Sequence, residues 1–198
     1  MSKSEVKTAT QLEQDMVIDS LKLAFAADPA TRWVWPDPQK YLLYFSKFAK
    51  AFGGKAFAKK SAHYIGNYKG AALWLPPNDE PDVEALLGLL KETTSVEVQQ
   101  VVPQVFEKMG SYHPSEPHWY LPLLGVDPLY HGKGLGSALL KHATSNFDSE
   151  NILAYLESSN PRNISLYERH GFEILGTIRV DNFPPIVPML RKPQSGTH

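Results

Sequence analysis

Stretches in which apolar residues recur at helical spacing alternate along the chain with short continuous apolar runs bounded by turn residues. Residues 4–10 predict a short first strand. Leu12, Met16, Ile18, Leu21, Leu23, Ala24 and Phe25 then predict an amphipathic helix over 11–27. Leu42, Leu43, Phe45, Phe48 and Phe52 repeat the helical pattern over Tyr41–Phe52, which stops at Gly53-Gly54. Between these helices, 28–38 is dense in proline and aromatic residues and predicts an ordered loop that walls a pocket.

From Ala56 the pattern changes. Tyr64-Ile65 and Ala71–Leu75 flank Gly66-Asn67-Tyr68-Lys69-Gly70, which predicts a hairpin, bounded by Pro76-Pro77. Asp79 to Asp82 offer N-cap chemistry for a helix from Val83 to about Lys91, and a further helix over Val96–Met109 is expected to be disturbed at Pro103. Trp119–Val126 suits a buried strand, yet Pro122 has no N–H for a ladder. A bulge or splayed edge is expected there, freeing the backbone beyond it for an extended ligand laid alongside. A helix to about Phe147, a strand over Ile152–Glu157, a short helix carrying Arg162 to Arg169 and closed by His170-Gly171, and strands starting at Phe172 and Ile186 complete the order, with 193–198 frayed.

Composition narrows the classes. The 198 residues, 42% hydrophobic and 21% charged, predict one folded domain over 1–198. A formal net charge of -1 supplies no bulk field for nucleic acid or anionic lipid, so any anion must be held locally. With no cysteine, disulfides, thiolate catalysis and cysteine-based zinc sites are excluded. None of the seven histidines has ligand spacing with carboxylates, so no metal site is expected. No apolar run approaches the ~20 residues of a membrane span, and the N-terminal residues are polar, so the expectation is a cytoplasmic protein without membrane contact.

The segment with chemical content begins at Tyr130-His131-Gly132-Lys133-Gly134-Leu135-Gly136-Ser137. Glycines at alternate positions ahead of a helix put unpaired N–H groups, a positive helix end and the Lys133 charge where an anion, such as a pyrophosphate, can sit. Such loops also arise for tight packing alone. No Gly-Lys pair precedes Ser or Thr, which excludes a P-loop, and the position past residue 130 disfavours a dinucleotide fold. Asn163 and Tyr167 share one helix face, directing an amide and a phenol at the same ligand.

Strand, glycine loop, helix, strand ending in Leu156-Glu157, then Asn163-x-x-x-Tyr167-x-x-x-Gly171-Phe172 resembles the GNAT superfamily of acyl-CoA-dependent N-acyltransferases. Ala26–Arg32, Glu116–Trp119, Gly125-Val126 and Pro161–Arg169 are similar, more narrowly, to its puromycin N-acetyltransferase branch, over almost the whole chain. The resemblance implies an α/β fold with a mixed sheet of about seven strands, splayed between the fourth and fifth and flanked by helices, with acetyl-CoA as cosubstrate in the cleft. It implies that Leu124, Gly125 and Val126 offer backbone groups to the pantetheine arm, that Gly132, Lys133, Gly134, Leu135, Gly136 and Ser137 cradle the pyrophosphate, and that Asn163 bonds the pantetheine. Tyr167 would protonate the departing thiolate. His131 stands where the family usually has Gln or Arg.

Direct attack of an amine on a thioester requires a donor for the developing oxyanion, an acid and a base. The Val126 N–H and Tyr167 fill the first two roles. Glu157 is the first candidate base, with Glu116 and His113 behind it. Asp28, Arg32, Trp33, Trp35, Tyr120 and Glu157 are the candidates for the acceptor pocket, whose aromatic wall favours a flat or hydrophobic amine. The expected activity is N-acetylation of a small-molecule primary amine by a monomer or homodimer. The alternatives are a non-catalytic acyl-CoA sensor and a transferase for protein termini or lysines, which calls for an open groove with acidic walls.

Overall fold

The computed structural model describes residues 5–194, so the expected strand residue Ser4 and the end of the frayed tail lie outside the described residues. Strand β1 (Val6–Thr8) precedes a turn of 3-10 helix and α1 (Gln14–Ala24). Thr10 and Glu13 form a capping box at that turn, which delays the α-helix beyond the expected start at residue 11. The aromatic segment is not a loop throughout, because α2 (Pro29–Val34) forms inside it. Asp28 caps α2 by accepting from the Thr31 amide, and Pro29 occupies its first turn. After α3 (Pro38–Gly53) the short α4 (Lys55–Ala58) leads into the hairpin of β2 (Ala62–Ile65) and β3 (Gly70–Leu75). Helices α5 (Val83–Thr93) and α6 (Val96–Tyr112) follow, and α6 continues through Pro103 rather than breaking there. The remaining elements are β4 (His118–Val126), α7 (Leu135–Glu150), β5 (Leu153–Ser158), α8 (Ile164–Glu168), β6 (Glu173–Ile174) and β7 (Val187–Arg191).

The seven strands form one mixed sheet in the order β1-β2-β3-β4-β5-β7-β6, antiparallel except for the β4·β5 pair. Helices cover both faces, so β3 is buried along its whole length, which is why Ala71–Leu75 reads as a continuous apolar run. On one face Ala71, Leu73, Tyr120, Leu123 and Tyr155 pack with Ile18, Leu21, Phe45 and Phe52 of α1 and α3. On the other, Ala72, Trp74, Leu121, Leu124 and Leu156 pack with Leu135, Leu139 and Phe147 of α7 and with Tyr167 of α8.

The register of β3 on β4 slips once. Leu73 faces Leu123 and Leu75 faces Tyr120, so Trp74 opposes both Leu121 and Pro122. This two-against-one arrangement is a β-bulge, and it shifts the in/out alternation, placing Leu121 and Leu124 on the same face of the sheet. Pairing of β4 with β5 ends at the same place, Leu121 opposite Leu156. The five residues from Pro122 to Val126 continue along β3 with no β5 partner, which is the expected splay between the fourth and fifth strands.

Near the hairpin, buried His63 on β2 packs edge-to-face on His142 of α7, with centroids 4.8 Å apart. Burial, assisted by His142, lowers the His63 pKa to about 4. The unfolded chain then binds the extra proton first, so stability is complete above the ordinary histidine range and is lost as the pH falls from there toward 4. A folded-state loss on the order of 2 kcal/mol is expected between about pH 7 and pH 4.5, and His63→Gln should flatten that part of the curve. Denaturant melts at several pH values check this, and an unchanged slope in the variant would refute it.

Candidate active site

Strand geometry settles which amides face the splay. The Asp127 amide donates to Lys69 of the hairpin, so with alternation the groups of Gly125 also turn toward β3, while those of Leu124 and Val126 turn toward the side that β5 has left. Gly125 therefore does not present its own amide groups to the opening, contrary to the expectation. Its lack of a side chain serves packing, because a Cβ there would stand 2.5 Å from Ala24 Cβ of α1. The Val126 carbonyl accepts from His131 Nε2 at 2.9 Å, so that imidazole closes the strand end and is not held free for phosphate.

The glycine loop is built for conformation and space. Gly132 and Gly134 have φ of 72° and 75°, and a Cβ on either would meet nothing within 4 Å. Tight packing is therefore not their reason. Gly136 is the one that packs, its missing Cβ lying 3.4 Å from Leu166. Gly134 is the N-cap of the 16-residue α7 and supplies no side-chain cap, leaving first-turn amides of Leu135, Gly136 and Ser137 at a positive helix end. Ser137 Oγ is engaged by His170 Nε2 at 2.7 Å, so only its amide faces the loop. Lys133 Nζ and Lys69 Nζ both lie over the Tyr130 ring, 4.9 and 4.7 Å from its centroid, setting two cations beside the loop. Lys69 sits at the hairpin turn, and no sequence signal connected it to a loop more than sixty residues later.

Asn163 ends a 3-10 turn and caps α8, with Tyr167 one turn on, so the two share a face as expected. Tyr167 is buried, and burial first, then the Asp28 charge, hold its phenol above its ordinary range. It stays a neutral donor throughout the physiological range.

Across the sheet from α7 lies a cavity of about 100 Å³, walled by α2, α3, α5, α6 and β4. Phe48, Phe52, Leu89, Val105, Phe106 and Leu123 make most of its wall. Of the acceptor candidates, Asp28, Trp35, Tyr120 and Glu157 line it. Trp35 is fixed by its indole N–H donating to Thr93 Oγ1 at 3.2 Å. Arg32 and Trp33 do not line it. The Arg32 guanidinium donates to the Pro36 carbonyl and lies over Tyr41, and Trp33 packs edge-on against Phe183.

The two carboxylates of the cavity differ. Asp28 is buried and satisfied, accepting from the Thr31 amide at 3.0 Å and from Ser159 Oγ at 2.6 Å. Desolvation nevertheless raises its pKa, these hydrogen bonds opposing the rise. Glu157 projects from the end of β5 with its side chain 3% exposed, and its Oε1 has no aligned donor among the described residues, although His113 Nε2 stands 3.2 Å away. Burial first, then the Glu157 charge, drive the Tyr120 and Tyr155 phenols upward, and the buried Tyr155 hydroxyl also lacks an aligned partner. Glu116 is exposed and lies outside this cavity, bordering a second, outer groove with His113 and His118. Among the described residues no cluster of metal-ligating side chains occurs, and no helix is long and apolar enough to cross a membrane.

A family profile described as "Acetyltransferase (GNAT) family" matches residues 23–172. The chain belongs to that family, a class of acyltransferase enzymes, and has its fold. Among solved structures, a Corynebacterium glutamicum protein described as histone acetyltransferase HPA2 and related acetyltransferase is 28% identical, covers 98% of this chain and 99% of its own, and superposes with a TM-score of 0.71. Arylalkylamine N-acetyltransferase 2 from Aedes aegypti shares the fold at 14% identity, covering 98% of this chain and 100% of its own, with a TM-score of 0.68. An uncharacterized N-acetyltransferase of Schizosaccharomyces pombe is 27% identical over 66% of this chain, and a mycothiol acetyltransferase of Propionibacterium freudenreichii is 41% identical over 28% of it. The chain spans 59% of the yeast protein and 19% of the bacterial one.

Asp28→Ala should lower stability by about 1–2 kcal/mol through loss of the α2 cap, whereas Ser159→Ala should cost about 1 kcal/mol or less. Equilibrium unfolding of the two variants checks this, and an equal cost would count against the capping role.

Proposed function

We propose that this chain transfers the acetyl group of acetyl-CoA to the primary amine of a small molecule with an apolar body, by direct attack while both substrates are bound. The observation that carries the reading is the buried Glu157 carboxylate, whose Oε1 lacks an aligned donor, in a mainly apolar cavity shared with Asp28 on one side of a splayed strand, with a glycine-built loop on the other. A buried charge lacking an aligned donor is costly unless a ligand completes it, and an ammonium group is the natural complement.

The residues fit a thioester cosubstrate. Leu124 and the Val126 N–H turn amide groups to the splay, Gly132 and Gly134 leave open space above the loop, and Lys69, Lys133 and the first turn of α7 supply positive charge. Acetyl-CoA, when bound, supplies the activated acetyl group. The Val126 N–H is assigned to the carbonyl oxygen where negative charge develops, Asn163 to the pantetheine, and the neutral Tyr167 phenol to the departing sulfur. Glu157 is assigned to the amine, holding it and taking its proton.

Apolar walls with carboxylates at the floor favour one buried ammonium and a hydrophobic body over a polyamine or a peptide lysine, which needs a wet or acidic channel. The narrower likeness to puromycin N-acetyltransferases belongs to the same proposal, since an aminonucleoside is a primary amine on a flat body. For linear alkylamines, each added methylene should raise kcat/KM about fourfold until the cavity fills, from about 0.8 kcal/mol per buried CH2. Thiol release measured over butylamine to octylamine, phenethylamine, puromycin, spermidine and a lysine peptide checks this. Preference for spermidine or the peptide would overturn the acceptor class.

Tyr167→Phe should lower kcat on the order of 10²-fold while acetyl-CoA still binds by calorimetry. Full turnover in that variant would remove the assigned acid, and an inert wild type that still binds acetyl-CoA would favour a sensor.

A further inference from the structure

We propose that His170 is a positioning residue for the diphosphate of the cosubstrate, which it senses through the Ser137 hydroxyl by taking up a proton when that anion settles on the glycine loop. The proposal rests on the acetyltransfer reading above for the identity of the anion.

The backbone of His170 is pinned from two sides. It follows α8, where its amide donates to the Tyr167 carbonyl at 2.9 Å. Its own carbonyl accepts from Arg191 Nε of β7 at 2.8 Å. Arg191 is itself 3% exposed and grips both carboxylate oxygens of Asp148 on α7, at 2.6 and 2.7 Å. From this fixed base the ring reaches the first turn of α7, where its Nε2 stands 2.7 Å from Ser137 Oγ. Ser137 is the third residue of α7, so its hydroxyl lies beside the amides that make the positive helix end.

The charges that face the ring come from every element packed on it. Lys141 approaches from α7, Arg169 adjoins it at the end of α8, and Arg191 stands on β7 with Asp148 as its counter-ion. Burial first, then Arg169, Arg191 and Lys141, hold the imidazole below the ordinary histidine range, so near pH 7 the ring is neutral. Lys133 and Lys69 add two cations at the loop. His131 is the other histidine there, and its Nε2 is committed to the Val126 carbonyl.

A diphosphate at the first turn of α7 reverses this balance. Its negative charges offset the surrounding cations and favour the charged imidazole. The imidazolium Nε2–H donates to Ser137 Oγ, and the hydroxyl hydrogen is then free to turn to a phosphate oxygen. One proton enters from water on binding and one returns to water on release. Proton and cosubstrate therefore strengthen each other's hold by the same factor. The anion raises the pH at which His170 titrates, so affinity is greatest at low pH and falls as the pH rises from the unliganded titration point to the liganded one.

Dephospho-CoA is the probe, because its diphosphate keeps one charge over this range and it lacks the 3′-phosphate, which does not. Its affinity by calorimetry should fall about tenfold between about pH 6 and about pH 8. Titrations in two buffers of different ionisation heat should show proton uptake on binding. In histidine NMR spectra of the wild type, read ring by ring, His170 should titrate about one pH unit higher with dephospho-CoA bound than without it. His170→Gln, whose amide nitrogen can donate to Ser137 Oγ but cannot titrate, should bind the probe equally at both pH values. Ser137→Ala should reduce the tenfold change to a few-fold. A full pH dependence retained in His170→Gln, or a His170 ring whose titration ignores the probe, would overturn the proposal and leave the acetyltransfer reading standing. Binding of acetyl-CoA with none of dephospho-CoA would also overturn it, since recognition would then lie with the 3′-phosphate. No binding of either compound by the wild type would overturn the acetyltransfer reading and this proposal with it.

Discussion

A proline in the fourth strand governs the geometry of this molecule. Pro122 cannot complete a ladder, and the chain accommodates it by setting two residues, Leu121 and Pro122, against Trp74. The extra residue has two consequences that a regular strand would not deliver together. It returns Leu124 to the α7 face, where it packs with Leu135 and Leu139, and it coincides with the end of pairing to β5. From that point the sheet opens, the amides of Leu124 and Val126 face the gap, and β5 carries Glu157 one residue beyond its last partnered position on β4. The Val126 amide and the Glu157 carboxylate thus flank one opening because a single register shift places both.

The carboxylates illustrate how structural and functional charges separate. Asp28 and Glu157 line the same cavity, and both are held in surroundings that penalise a charge. Asp28 receives a backbone amide and a hydroxyl, and its raised pKa comes from burial that those bonds only partly offset. It caps a helix and, second to their own burial, pushes both Tyr41 and Tyr167 upward. Glu157 differs in that its Oε1 has no aligned donor. A carboxylate that organises its surroundings is satisfied by them, whereas one reserved for a ligand is left with unspent acceptor capacity.

Much of this was legible in the order of residues because local rules determine it. Pro122 announced the break, the alternate glycines announced a loop with an accessible backbone, and the alternation of apolar runs placed β2 to β5 within a residue or two. The helix α2 was missed although its signal was present, since Asp28-Pro29 is an N-cap followed by proline at the first turn; the density of prolines and aromatics around it masked that signal. Lys69 at the glycine loop, Ser159 on Asp28 and the His113–His118 contact were not legible, because each joins elements brought together only by tertiary packing. Trp33 and Trp35 show the limit within a single segment: both are large, aromatic and two positions apart, but the end of α2 sends Trp35 to the cavity and leaves Trp33 packed on Phe183.

With a net charge of -1 the protein has no overall field with which to gather its substrates, so discrimination has to be built from opposed local fields. The glycine loop, the start of α7, Lys69 and Lys133 make one side of the opening attractive to anions. Asp28 and Glu157 make the other attractive to a cation, and the aromatic and aliphatic walls between the floor and the mouth exclude the water that would weaken that attraction. The two fields meet only where β4 parts from β5. In the proposed reaction a thioester held from one side and an amine held from the other would meet without a covalent intermediate on the protein, which suits a chain that contains no cysteine.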